Sequence, residues 1–208
     1  MPSIAKSHCF VILLVSLFTL AGAAPAQEPY AASASIDPGF VVSFSPSAQL
    51  PLCALLTMSI ETASGGAAVS GSGGVYSISF GNVNGLGIGI PASGVTVSKS
   101  SSGATYTTPI LVRTRFAGCL PLGTTKTIRV YQDATASSQS QSAAREGSSA
   151  ASVIAVPTSL ASATVITTSP TSGADITRHI GVFVSNANGG SAVTGSLAPR
   201  FIYNLSVQ

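Results

Sequence analysis

The chain has 208 residues, of which 45% are apolar and only 7% charged, with a formal net charge of +3. A charged share so far below the usual quarter, replaced here by Ser, Thr, Ala and Gly, leaves no electrostatic footprint for nucleic acid or a polyanionic membrane. Disordered chains combine low hydrophobicity with high net charge, and this one does neither.

Met1 to His8 carries one firm positive charge, Lys6, and no acid. Cys9 to Leu20 (CFVILLVSLFTL) is an unbroken apolar run, and the small residues Ala21-Gly22-Ala23-Ala24-Pro25-Ala26 follow it. That succession predicts a secretory signal peptide over residues 1–26, cut after Ala23 or Ala26, with Ala26 preferred. The run is shorter than the ~20 apolar residues of a spanning helix, so no stable membrane span is expected after cleavage. Cys9 opens the run instead of following the cleavage site, which argues against a lipid-anchored cysteine. The mature protein is therefore expected to be secreted, periplasmic or at the cell surface. It retains eight Lys and Arg, six Asp and Glu, and two cysteines, Cys53 and Cys119. In an oxidising compartment two thiols of one small domain pair. Closing that loop removes denatured-state entropy worth about 4 kcal/mol. Neither cysteine has a CxxC neighbour, so the bridge is structural.

Residues 27–52 read as an irregular N-terminal arm punctuated by Pro29, Pro38, Pro46 and Pro51, with one alternating run at Phe40 to Phe44. Residues 53–208 read as the folded domain. Its strand candidates, bounded by Gly, Asn, Pro or Ser, begin with Leu55 to Glu61, Val75 to Phe80 and Gly94 to Ser98. Thr105 to Phe116 is longer, and Pro109 confines it to an edge or a break. Lys126 to Gln132 follows, then a polar stretch from Asp133 to Ser149 that lacks an apolar stripe and reads as a surface loop. Ala151 to Val156, Ala163 to Thr168, His179 to Ser185 and Phe201 to Val207 complete the series. About eight or nine short strands without an amphipathic helix predict an all-β fold. The expected architecture is an antiparallel β-sandwich, immunoglobulin-like or related, with one disulfide.

Candidate chemistry is sparse. The one mature histidine, His179, has Asp175 four residues upstream, and a hydrolase reading makes it a general base for a serine. Serine is so abundant that such a set is expected by chance, and no Gly-x-Ser-x-Gly joins a strand to a helix. The acids Glu28, Asp37, Glu61, Asp133, Glu146 and Asp175 are scattered and nominate no glycosidase pair. There is no calcium-loop or zinc-ligand spacing. Gly81-Asn82-Val83-Asn84-Gly85-Leu86-Gly87-Ile88-Gly89 resembles a phosphate loop, but Ile90-Pro91-Ala92-Ser93-Gly94 follows it and does not start the required helix. Asn204-Leu205-Ser206 matches a glycosylation sequon but falls within a predicted strand. No catalytic residue and no cofactor are expected, and the chain reads as a non-enzyme.

Phe80-Gly81-Asn82, closing the strand from Tyr76, resembles the FGN that ends an early strand in spore coat protein U-like domains, which belong with archaic chaperone-usher pilins. The signal peptide, the mature length, the two-cysteine bridge and a last strand (Phe201, Tyr203, Leu205, Val207) at the C-terminus agree with that family. Its bridge usually starts near the mature N-terminus, whereas here Cys53 lies well into the chain and Cys119 follows the fourth strand. The resemblance implies an incomplete immunoglobulin-like sandwich completed by a neighbour's N-terminal extension, a case of β-augmentation. Gln27 to Ser45, with Phe40, Val42 and Phe44 on one face, is then the candidate donor strand. Partners would be other copies of the chain or a periplasmic chaperone. The leading expectation is a structural or adhesive surface protein. The alternative is a secreted module binding carbohydrate or another ligand, which the absence of Trp weakens; a secreted hydrolase rests only on His179.

Overall fold

A computed structural model of the protein describes residues 34–36, 38–46, 53–119, 125–133, 142–187, 195–197 and 199–207. The expected signal peptide, both cleavage positions and the first part of the arm lie outside the described residues. Those described belong to one compact unit, Ala31–Gln208. The described residues are almost entirely β, with two short 3-10 turns, Ala150–Ser152 and Leu160–Ser162. No helix among the described residues is long and apolar enough to cross a membrane.

The strands are β1 (Ala34–Ile36), β2 (Gly39–Pro46), β3 (Leu55–Thr62), β4 (Val69–Ser72), β5 (Val75–Ile78) and β6 (Gly81–Val83). Then come β7 (Ile90–Pro91), β8 (Thr96–Ser100), β9 (Gly103–Ala117), β10 (Lys126–Gln132) and β11 (Ser142–Gly147). The last are β12 (Ile154–Ala155), β13 (Thr164–Thr168), β14 (Asp175–Ser185), β15 (Gly195–Leu197) and β16 (Arg200–Val207). Three sheets result. One is small, in the order β15-β1-β6-β7; the second runs β13-β10-β16-β2-β5-β4; the third runs β12-β11-β14-β9-β3, with β8 also on β9. Most pairings are antiparallel. Two are parallel, β1 with β15 and β2 with β16, and both join an N-terminal strand to a C-terminal one.

The strand count exceeds the expected eight or nine because several strands have only two to four residues. So short a segment shows no alternation that can be told from chance. The polar stretch read as a loop contains β11, which pairs with β14 from Ser142↔Val184 to Gly147↔His179. Its inward Glu146 has an ionic partner in the fold, so a polar sequence conceals a buried strand.

Pro109 neither breaks β9 nor ends it. Along one edge of β9, β8 pairs up to Thr107 and β3 begins at Ile110. Pro109 occupies the gap between them, where the missing N–H costs no ladder bond.

The buried cluster draws on both large sheets. Phe40, Ile78, Ile128, Val130, Phe201, Tyr203 and Leu205 come from the second; Met58, Ile60, Tyr106, Ile110, Val112, Ile180, Val182 and Val184 from the third. Alternation in β3, β9 and β14 puts these residues on one face and Glu61, Arg113 and Asp175 on the other. Cys53, just before β3, is bonded to Cys119, just after β9. The bridge clamps the end of the β3–β9 pair, where Leu55 lies opposite Ala117. Replacing both cysteines by Ala is expected to lower stability by about 2–4 kcal/mol. Equilibrium urea unfolding of the oxidised protein and the variant measures it.

Candidate functional site: the β2 slot and the charges around it

The candidate donor residues lie in β2, inside a sheet. β2 is hydrogen-bonded on both sides: parallel to β16 from Arg200↔Gly39 to Val207↔Pro46, and antiparallel to β5 from Gly39↔Ser77 to Val41↔Val75. Gly39 N–H donates to the Pro199 carbonyl and Val42 N–H to the Gly74 carbonyl. Phe40 is fully buried, stacked on Phe201 with centroids 5.5 Å apart and tilted against Tyr203 at 6.3 Å. Val42 packs against the core from a half-buried position. Phe44 aligns with Leu205; its side chain lies outside the described residues. Asn204 Nδ2 donates to Ser43 Oγ at 2.8 Å, fixing the register from the neighbouring strand. The segment read as an arm thus fills the middle of the second sheet.

The other singled-out residues do not converge. His179 lies in β14 opposite Pro109 and Gly147, half-buried, with a buried Nδ1 that has no hydrogen-bond partner among the described residues. In a strand the four-residue step to Asp175 spans roughly 13 Å. Asp175 is also engaged elsewhere: Arg113 Nε and Nη2 donate to its two oxygens at 2.5 and 2.8 Å, while Nη1 donates to Glu61 at 2.8 Å. That fork, led by the hydrogen bond, holds the Asp175 carboxyl below its ordinary range, against a smaller opposing effect of desolvation. Asp133 lies 3.3 Å from Arg200. Glu28 and Asp37 lie outside the described residues. Among those described, no group of three or more His, Cys, Asp or Glu could hold a metal. Asn204 of the sequon is buried in β16.

A buried charge cluster escaped the sequence reading. Arg178 points inward from β14, between Ile176 and Ile180, and donates through Nε and Nη2 to Glu146 of β11 at 2.5 and 2.9 Å. Their side chains are 12% and 2% exposed. The Tyr203 hydroxyl is buried in the same electrostatic neighbourhood with no hydrogen-bond partner among the described residues. The available signal was Arg178 itself, a charge at an inward position of an alternating strand, which demands a buried acid.

Burial first, then the Glu146 charge, push the Tyr203 phenol well above its ordinary value, with Arg178 opposing. A raised phenol in the folded state means the unfolded chain loses its proton first. Stability from this group is therefore present below about pH 10 and falls above it. Tyr203→Phe removes an unsatisfied buried hydroxyl and is expected to gain about 1 kcal/mol at neutral pH. The variant also loses less stability on alkalinisation than the parent, and urea midpoints at pH 7 and pH 10.5 measure both effects. Part of the alkaline loss remains with Tyr106, which burial also raises.

No family model matches the chain, and no curated protein matches it.

Proposed function

We propose that the protein is an exported structural or adhesive subunit of the cell surface that assembles by exchanging β2 between copies. The supporting observation is the placement of β2: it fills the centre of a sheet between β5 and the sequence-distant β16, and carries a fully buried aromatic anchor. The same pairings re-form with a second copy, which is how strand exchange builds oligomers. In this reading the two large sheets face each other across the common core as an immunoglobulin-like sandwich. Its C-terminal strand β16 lines a slot filled by the chain's own β2, by a neighbour's, or before assembly by a periplasmic chaperone. This is the organisation implied by the resemblance to spore coat protein U-like and archaic pilin domains.

The test compares the mature exported chain with one lacking residues 27–45. The full chain is expected to yield oligomers on size-exclusion chromatography. The truncated chain is expected to lose its cooperative unfolding transition and recover it with a peptide of residues 27–46. Monomers of equal stability from both chains would end the proposal.

A further inference from the structure

The glycine-rich string contains the dipeptide Asn84-Gly85. In such a pair the asparagine side chain can react with its own main chain, because glycine puts no Cβ in the way of its amide nitrogen. Asn84 is buried, in the loop between β6 and β7. Its Oδ1 accepts from Leu86 N–H and Ile88 N–H, each at 3.1 Å. Two backbone donors on one amide terminus identify that atom as the oxygen. They also fold the side chain back along the residues that follow, as in an Asx turn, which keeps Cγ on the Gly85 side. Among the described residues no acceptor takes a hydrogen bond from Nδ2, the other terminal atom.

The main chain of Asn84 is gripped by a phenol. The hydroxyl of Tyr106, a fully buried residue, accepts from Asn84 N–H at 3.1 Å and donates to the Asn84 carbonyl at 2.8 Å. Gly87 N–H donates to the same carbonyl at 3.2 Å. That oxygen belongs to the Asn84–Gly85 peptide bond. Burial raises the Tyr106 phenol above its ordinary value, so it stays a donor in mildly alkaline solution.

The glycines take the close inner positions. A Cβ on Gly85 would overlap the Ser185 carbonyl and one on Gly89 the Asn82 carbonyl, whereas Leu86 and Ile88 between them are exposed. Among the described residues no acceptor holds the Gly85 N–H. Each donor on Asn84 therefore meets an atom where charge develops in one reaction. When Gly85 N–H loses its proton, the charge spreads to the Asn84 carbonyl oxygen, where Tyr106 and Gly87 donate. When that nitrogen adds to Cγ, charge gathers on Oδ1, where Leu86 and Ile88 donate. Donors fixed in advance at developing charge are a principal source of rate in acyl transfer.

We propose that Asn84–Gly85 is a self-modification site, at which the folded loop drives cyclisation of the asparagine and then hydrolysis. The Gly85 nitrogen gives its proton to hydroxide and forms a bond to Cγ. The Cγ–Nδ2 bond breaks, and Nδ2 leaves as ammonia with a proton from water, which regenerates the hydroxide. The product is a five-membered succinimide. Water then opens the ring at one of its two carbonyls. Opening at the main-chain carbonyl leaves isoaspartate, with the chain running through the former side chain; opening at Cγ leaves aspartate. Either product puts a carboxylate where a neutral amide held the loop, and β2 takes no part.

The test incubates the folded protein at mildly alkaline pH in water labelled with heavy oxygen. A synthetic peptide of residues 80–90 in the same solution is the unfolded reference. Peptide mass spectrometry follows ammonia loss and label uptake at position 84. The folded protein is expected to convert about tenfold faster than the peptide. Tyr106→Phe, scored once its cooperative unfolding transition is confirmed, is expected to lose about tenfold of that rate. Folded protein that converts no faster than the peptide would overturn the proposal and make the loop a shield for Asn84. That comparison needs only the parent, so it stands even when Tyr106→Phe does not fold. A folded Tyr106→Phe with the parent's rate would overturn the proposal as well.

Discussion

Phe40→Ala is expected to lower the stability of the protein by about 4–5 kcal/mol, a loss that urea unfolding should resolve as a shift in midpoint with little change in slope. The side chain is fully buried, stacks on Phe201 and approaches Tyr203. Its backbone is bonded to strands on both sides, so the cavity left by truncation cannot be relieved by moving β2. Buried Phe→Ala changes cost about 3–5 kcal/mol, and a site unable to collapse lies at the upper end. Val41→Ala, one residue along and only half-buried, is the control and is expected to cost about 1 kcal/mol or less. Near-equal losses at the two positions would mean that Phe40 is not the anchor of β2.

Glu146→Ala is expected to cost about 3–5 kcal/mol, because it strands the guanidinium of Arg178 in the interior. The pair is bidentate and almost entirely removed from water. Breaking a buried pair from one side leaves a charge whose desolvation is no longer offset. Replacing both members by apolar residues, Glu146→Leu with Arg178→Met, should recover most of the loss, since a buried pair and a packed apolar pair are often close in energy. A double-mutant cycle from the four unfolding curves measures the coupling. The exposed fork of Arg113 gives the contrast: solvent screens it, and Asp175→Asn is expected to leave the urea midpoint close to the parent's at neutral pH. A small effect at both pairs would remove Glu146–Arg178 as an element of the core.

The strands with long alternating runs were legible in the sequence. Leu55 to Glu61, Lys126 to Gln132 and Phe201 to Val207 correspond closely to β3, β10 and β16. The start of β14 was missed because Asp175 and Thr177 are its outward, solvated residues, and a polar start to a strand looks like a loop. β11 was missed for the opposite reason: its acid is inward and satisfied by Arg178, a partner 32 residues away. Tertiary pairing of that kind leaves no local trace. The apolar face of Phe40 and Val42 was visible, but its position between β5 and β16 depends on contacts with residues more than 150 positions downstream. The exposed side of the loop 85–90 was hidden in the same way. Its alternating Gly and apolar residues resemble a phosphate loop after a strand, and only the carbonyls of Asn82 and Ser185 decide which residues face inward.

The most direct test of β2 exchange places a covalent reporter across the slot. Val41 and Ile202 are register partners in β2 and β16, and both are half-buried away from the core cluster. With Val41→Cys and Ile202→Cys, the protein is allowed to assemble under reducing conditions that spare the native bridge, then oxidised and run on a non-reducing gel. The proposed assembly predicts a ladder of covalent oligomers from the assembled fraction, because the two new cysteines that meet belong to different chains. A single monomer band carrying an internal crosslink, from a fraction that sediments as an oligomer, would contradict it.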